Sequence, residues 1–342
     1  MTIRDFIKRM PKIDLHCHLD GSLPPETARR ILADMGETWT REDVEKAMGV
    51  PEDCRSLAAY LACFDLPIRC LQTATALEAC AHDMAVRAAA ENTVYLEARF
   101  APSTQGVLGL GVREAIEAVD RGLKKAGEET GIETGIIVCA MRHLPEEVNL
   151  AMFRTAREML GCGVCACDIA GDEASYPMSL YRNLFEEARR LGLPFTVHAG
   201  ECGSRENIYE AIDLGAARIG HGTAAAGDRA LQALAAERHI CFEDCPTSNV
   251  QTSILPDYGA NPVREFRQAG IPVAVSTDNR TVSGTDLTQE FEKLQAYGLL
   301  TKDDMAGIYF DSADAAFGGD DLKERLYQKG RAFFGGRPGG RK

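Results

Sequence analysis

The sequence contains no apolar run of transmembrane length, so no membrane-spanning helix is expected. Its first residues, Met1-Thr-Ile-Arg-Asp-Phe-Ile-Lys-Arg-Met10, are too charged for the apolar segment of a secretion signal. Basic residues are also scarce. There are 38 Lys and Arg against 51 Asp and Glu, a net charge of −13, which is the wrong sign for a nucleic-acid partner. Gly106-Val-Leu-Gly-Leu-Gly111 lacks the Lys of a phosphate-binding loop and reads as an ordinary loop. The 12 cysteines read as free thiols, because nothing marks the chain for an oxidising compartment. Cys162-Gly-Val-Cys165-Ala-Cys167 has no second half of comparable spacing and reads as small buried residues. A soluble, cytoplasmic protein with neither nucleic acid nor membrane as partner is expected.

The chain does have enough apolar residues, 45% of 342, to bury one large core. Strand-like runs occur at Ile13–Cys17, Val94–Phe100, Thr134–Ala140, Val164–Ala170, Phe195–His198, Arg218–Gly220, Ile240–Asp244 and Val273–Ser276. Helical patterns separate them: Val112–Glu129, Glu146–Leu160, Ser179–Leu191, Asp228–Arg238 and Val263–Ala269. Eight strands alternating with helices predict a (β/α)8 barrel. Residues 1–330 then form a single domain. The gap at 21–93 is too long for one crossover and carries extra helices. Within it, Ser56–Asp65 has apolar residues at helical spacing, which fits a lid over the barrel mouth or plain core packing. From Lys323 the chain turns polar, and 331–342 is expected to be a disordered tail.

His16 and His18 stand two apart on the first strand, so both imidazoles face the same way. Such a pair can hold a metal, or it can be two histidines satisfied by backbone carbonyls. The other strand ends decide between these readings. In this fold, chemistry sits where strands run into loops at the C-terminal face. Four of the 7 histidines fall there, namely His16, His18, His198 and His221, with Asp278 at the end of the last strand. His82, His143 and His239 do not. His16, His18, His198 and Asp278 form a three-nitrogen, one-carboxylate set suited to a single catalytic Zn2+ with a position left for water. Glu201, three residues past His198, can deliver a proton, and His221 can orient the water or stabilise developing charge. Strand four ends Asp168-Ile-Ala-Gly171, with no Lys to bridge a second metal.

The ordered motifs His16-Cys-His18-Leu-Asp20-Gly21-Ser22, Asp168-Ile-Ala-Gly171-Asp172-Glu173, His198-Ala-Gly-Glu201, Ile219-Gly-His221-Gly222, Cys245-Pro-Thr-Ser248-Asn249 and Ser276-Thr-Asp278 resemble the adenosine deaminase family. Six motifs in register, from about residue 10 to residue 315, are far more specific than any one of them. The resemblance implies a zinc-dependent hydrolase, of bacterial type, that releases the 6-amino group of adenosine as ammonia. It implies that Glu201 protonates N1 of the purine and that His221 with Asp278 positions the attacking oxygen. Substrate contacts would come from His18, from Asp20 at the 5′-hydroxyl and from the Gly171 backbone at the base. Such a carboxyl must arrive protonated, which an apolar pocket favours. The other nucleobase-deaminase zinc signature, Pro-Cys-x-x-Cys, does not occur in the sequence.

Three rival readings remain: a deaminase of adenine or an N6-substituted purine, a non-catalytic binder on the same scaffold, and a generic amidohydrolase. Asp20 leaves room for a ribose where relatives acting on adenine tend to carry Glu. No ligand or acid has been lost, and no Lys/Arg cluster accompanies the motifs to receive a phosphate. One position departs from the pattern. Many relatives have Asp after the last metal ligand, where this chain has Asn279 followed by Arg280. An Asn amide can donate to a neutral purine N7, which a carboxylate cannot. Alternatively Asn279 caps its own turn, and Arg280 reads as a structural ion pair.

Overall fold

A computed structural model describes residues 1–51, 54, 57–106 and 108–338. Its strands are β1 Lys12–His18, β2 Thr93–Phe100, β3 Glu133–Met141, β4 Val164–Ala170, β5 Thr196–Ala199, β6 Arg218–His221, β7 Cys241–Asp244 and β8 Val273–Val275. Runs such as Ile136-Ile-Val-Cys-Ala140 are apolar on both faces because helices cover the outside and side chains fill the inside. The strands pair in parallel in two sets, β1-β2-β3-β4 and β5-β6-β7-β8. Bridges Cys167↔Phe195 and Cys17↔Asp278 join the sets and close the ring. At the second seam the His18 N–H donates to the Asp278 carbonyl (2.7 Å), and the Asp278 N–H donates to the His16 carbonyl (2.8 Å). The expected (β/α)8 barrel is therefore present, and its closing seam carries three of the predicted metal donors.

The lower barrel interior is charged. Arg99 on β2 donates to Asp168 on β4 (2.8 Å) and to Glu243 on β7 (2.9 Å). Arg218 on β6 donates to the other Glu243 oxygen (2.6 Å) and to Glu97 on β2 (2.5 Å). Thr196 adds a bond to Glu243, and the Phe317 N–H and Tyr95 hydroxyl add bonds to Glu97. All five charged groups are buried. Burial works against the Glu243 carboxylate, yet Arg99 and Arg218 outweigh it and hold its pKa well below the usual range.

Residues 21–93 hold helices Pro25–Asp34, Arg41–Met48, Leu57–Leu61, Asp65–Cys70 and Ala74–Ala90. Of the expected lid stretch, Ser56 lies outside the described residues. The remainder packs Tyr60 and Cys63 with Cys54 on Val282, in the loop after β8. The Val50 N–H adds a bond to the Val282 carbonyl (2.9 Å). The stretch therefore sits on the C-terminal face.

The end of the chain departs from expectation. Residues Asp320–Phe334 form a helix whose Leu326 is buried and whose Phe333 and Phe334 stack on Phe6. Arg337 then pairs with Asp311 and Asp314. The polar composition masked a sparse apolar stripe that finds partners only in the folded barrel. Residues 339–342 lie outside the described residues, as does Val107 of the glycine-rich loop.

Replacing Arg99 by Met leaves Asp168 and Glu243 buried with a partner missing. The expected cost is about 3–5 kcal/mol, read as a lower urea midpoint. An unchanged midpoint would show that the two carboxylates do not depend on Arg99.

Candidate active site

The alternation of β1 sends His16 and His18 to the same side, and neighbouring strands set the tautomers of His16 and His198. His16 Nδ1 donates to Glu243 (2.8 Å), which turns Nε2 toward the barrel mouth, where it is buried without a hydrogen-bond partner. His198 Nδ1 lies 2.8 Å from Asp168, which turns its Nε2 the same way. His18 Nε2 is 3.1 Å from His198 Nε2. Asp278 Oδ1 is 3.5 Å from His16 Nε2 and 3.4 Å from His18 Nε2. Lone pairs that converge at such distances repel one another unless a cation lies among them. Carboxylates on the far ring nitrogens are the usual second layer of a histidine metal site. The predicted four donors are thus brought together, and they fit one divalent metal. Asp278 reaches this position with φ +58°, a conformation costly for a non-glycine residue that its β1 hydrogen bonds sustain.

A second grouping places His221 and Cys245 within 4.8 Å of His16 and Asp278. Burial drives the Cys245 thiol pKa well up, and its S–H donates to the Glu243 carbonyl (3.6 Å).

Glu201 follows β5 and is largely enclosed, its side chain 10% exposed. Burial raises its pKa, Asp278 and Glu173 add to the rise, and His221 acts against it. Its carboxyl oxygen lies 3.7 Å from His221 Nε2. His221 also has a left-handed backbone, with φ +62°. Its Nδ1 donates to Asn249 Oδ1 (2.9 Å), and the Asn249 amide rests on Asp244 (3.3 Å). Burial opposes charge on His221, but Glu201 and Asp278 outweigh it and raise the pKa.

Asp20 opens a short 3-10 turn after β1, and its Oδ1 accepts the Gly21 N–H (2.9 Å). Burial pushes its pKa up to about 6. Gly171 ends β4 with φ +106°, which suits glycine and exposes backbone at the mouth. Asn279 is more enclosed than expected. Its amide donates to the Tyr60 hydroxyl (2.8 Å), which in turn meets Ser283 Oγ (2.7 Å). A Cβ on Gly21 would lie 1.9 Å from Asn279 Oδ1, so this contact requires glycine. Arg280 pairs with Glu91 (2.5 Å) and faces Asp14 (3.5 Å), a structural ion pair. His82 pairs with Asp83 and Glu129, away from the mouth.

Sequence reasoning missed Tyr60, Glu173, Asn249 and Cys245. Tyr60 was detectable as the one polar-tipped residue in an apolar stripe. Glu173, Asn249 and Cys245 sat inside recognised motifs without a role.

Comparison with known proteins agrees with this geometry. The family model described as adenosine deaminase matches residues 11–331. An adenosine deaminase of Enterococcus faecalis is 38% identical over 325 residues, covering 94% of this chain and 96% of that protein. One from Vibrio atlanticus is 39% identical over 328 residues, covering 94% and 98%. Among solved structures, the apo N6-methyl-AMP deaminase of Arabidopsis thaliana superposes with TM-score 0.84 at 26% identity, covering 96% and 98%. A zinc-bound amidohydrolase of Burkhoderia ambifaria gives TM-score 0.87 at 23% identity, covering 98% and 95%, a likeness of fold.

Metal analysis of the purified protein is expected to find about one divalent ion per chain, as a single three-histidine, one-carboxylate set requires. Two ions, or none in a fully active sample, would contradict that set. Glu243→Gln removes the charge that orients His16 and should weaken metal affinity by about 10–100-fold, measured by competition with a chelator.

Proposed function

The chain belongs to the adenosine deaminase family, and from that premise we propose that it is a zinc-dependent hydrolase converting adenosine and 2′-deoxyadenosine to the corresponding inosines with release of ammonia. The observation that carries this reading is Glu201, a largely enclosed carboxyl with a raised pKa, 3.7 Å from His221 and beside four converging metal donors. His16, His18, His198 and Asp278 would hold the zinc. When bound, it supplies Lewis acidity that makes water a nucleophile near neutral pH.

The remaining roles fall to this chain's side chains. Attack at C6 breaks the aromaticity of the purine, so C6 must first be made electrophilic. Glu201 arrives protonated and gives its proton to N1. His221, with Nδ1 fixed by Asn249, turns Nε2 toward the same space and, with Asp278, positions the attacking water. The attacking water gives one proton, through His221, to the amino group, and the C6–N bond breaks to release ammonia; the oxygen stays on C6 as the carbonyl, and its second proton returns to Glu201.

Substrate recognition follows the same rim. Asp20 accepts a hydrogen bond from the 5′-hydroxyl, Gly171 approaches the base through its backbone, and His18 lines the floor. Asn279 faces N7. Its amide is held by the Tyr60 hydroxyl and its Oδ1 is enclosed against Gly21, so the contact with N7 is made by the amide on giving up its Tyr60 bond. A nucleoside is favoured over a nucleotide because Arg280 is committed to Glu91 and Arg142 to the His198 and Tyr176 carbonyls.

Ammonia release should be rapid from adenosine and 2′-deoxyadenosine and slow from adenine and AMP; the reverse order would replace the nucleoside assignment. Glu201→Gln should bind zinc and lower turnover by about 10²–10⁴-fold, and a near-normal rate would remove Glu201 from the chemistry. The contact to Asp20 is worth about 1.5–3 kcal/mol, so 5′-deoxyadenosine should react more than about tenfold less efficiently. Asp20→Ala should erase that difference, and equal wild-type efficiencies would rule the contact out.

A further inference from the structure

Glu173 has no part in the chemistry described so far, yet its carboxylate accepts three hydrogen bonds at the mouth. It lies two residues past Gly171 and is buried, 2% exposed. Its Oε1 accepts the Gly200 N–H (2.7 Å) and the Asn207 side-chain amide (2.8 Å), and its Oε2 accepts the Cys202 N–H (3.0 Å). The two backbone donors flank residue 201. Asn207 is itself fixed, because its Oδ1 accepts the Met178 N–H (2.8 Å) and its N–H meets the Ser204 hydroxyl (3.2 Å). A single side chain from the β4 loop thus grips the β5 loop on both sides of the proposed proton donor. Without that grip the N–H groups on either side of Glu201 lose a buried acceptor, and the Gly200–Glu201 peptide keeps only the bonds its carbonyl accepts from the Thr223 hydroxyl (2.7 Å) and the Ala224 N–H (3.2 Å).

We propose that Glu173 is a positioning residue for deamination, fixing the backbone on either side of Glu201 so that its carboxyl faces N1 of the substrate. This rests on the reading of Glu201 as the acid. The grip needs a carboxylate. Glutamine offers one acceptor oxygen and one donor NH2, so one of the two backbone N–H groups would face another donor. The consequence is specific. A misaimed acid slows proton delivery without removing the metal donors or the ribose contact, so turnover falls while binding does not.

The test compares Glu173→Gln with wild type and with Glu201→Gln, measuring kcat, KM for adenosine and zinc content. The expected result is a kcat lowered by about ten- to a hundredfold, with KM and zinc content at wild-type values. A wild-type kcat overturns the proposal, and so does a fall in kcat accompanied by matching changes in KM and zinc content. If Glu173→Gln does not fold, Glu173→Asp is measured instead, since it keeps both acceptor oxygens and the charge but shortens their reach. The same kcat-selective loss is expected, and either a wild-type kcat or a second failure to fold assigns Glu173 to stability alone. The two readings separate cleanly. An active Glu201→Gln sinks the acid itself, whereas an inactive Glu201→Gln beside a fully active Glu173→Gln sinks only the positioning role.

Discussion

The molecule depends on five charged side chains that pair with one another in the middle of its barrel. Glu97, Arg99, Asp168, Arg218 and Glu243 are all buried, two guanidiniums against three carboxylates. An isolated ion there would cost several kcal/mol. Apolar residues of similar volume would make a core at least as stable, so stability alone does not account for the network. Its geometry does. The carboxylate oxygens of Glu243 and Asp168 are shared between Arg99 below and the ring nitrogens of His16 and His198 above. Arg99 thereby fixes two carboxylates from two strands, and each carboxylate fixes one imidazole. The charged core serves as a jig for the metal donors.

Above that jig, the site carries two residues in a costly backbone conformation, His221 and Asp278. His221 ends β6 and Asp278 lies three residues past β8, where the ladder hydrogen bonds give out and the chain must turn. Asp278 is held by its paired bonds to β1, and His221 by the following Gly222 N–H, which reaches the Ala199 carbonyl (3.1 Å). Such strain persists only where surrounding bonds over-determine it. Here it keeps both side chains aimed into the mouth.

Legibility followed how local the cause was. Strand β4 was readable to the residue because Val164–Ala170 is apolar at every position but Asp168 and is followed by a glycine. Strand β5 began one residue later than its pattern implied, because Phe195 makes only an isolated bridge to Cys167. The metal donors were visible because period-two spacing and strand-end position are properties of sequence. Tyr60 and Glu173 were not, because each owes its role to groups brought near by folding. Tyr60 reaches Asn279 only once the inserted helices lie on the β8 loop. The terminal helix escaped notice because Phe333 and Phe334 need Phe6, from the other end of the chain, to make an apolar face.

The closing seam has a consequence for assembly. The donor set draws on the first strand, the fifth and the residues just past the eighth, so the site does not exist until the last strand has docked against the first. A metal that binds this set binds only the closed ring. By mass action it stabilises that ring by RT ln(1 + [L]/Kd), several kcal/mol when the ion is far above its dissociation constant. The ion therefore acts as a clasp as well as a cofactor. A partly synthesised chain, with β8 still to come, has no clasp to close.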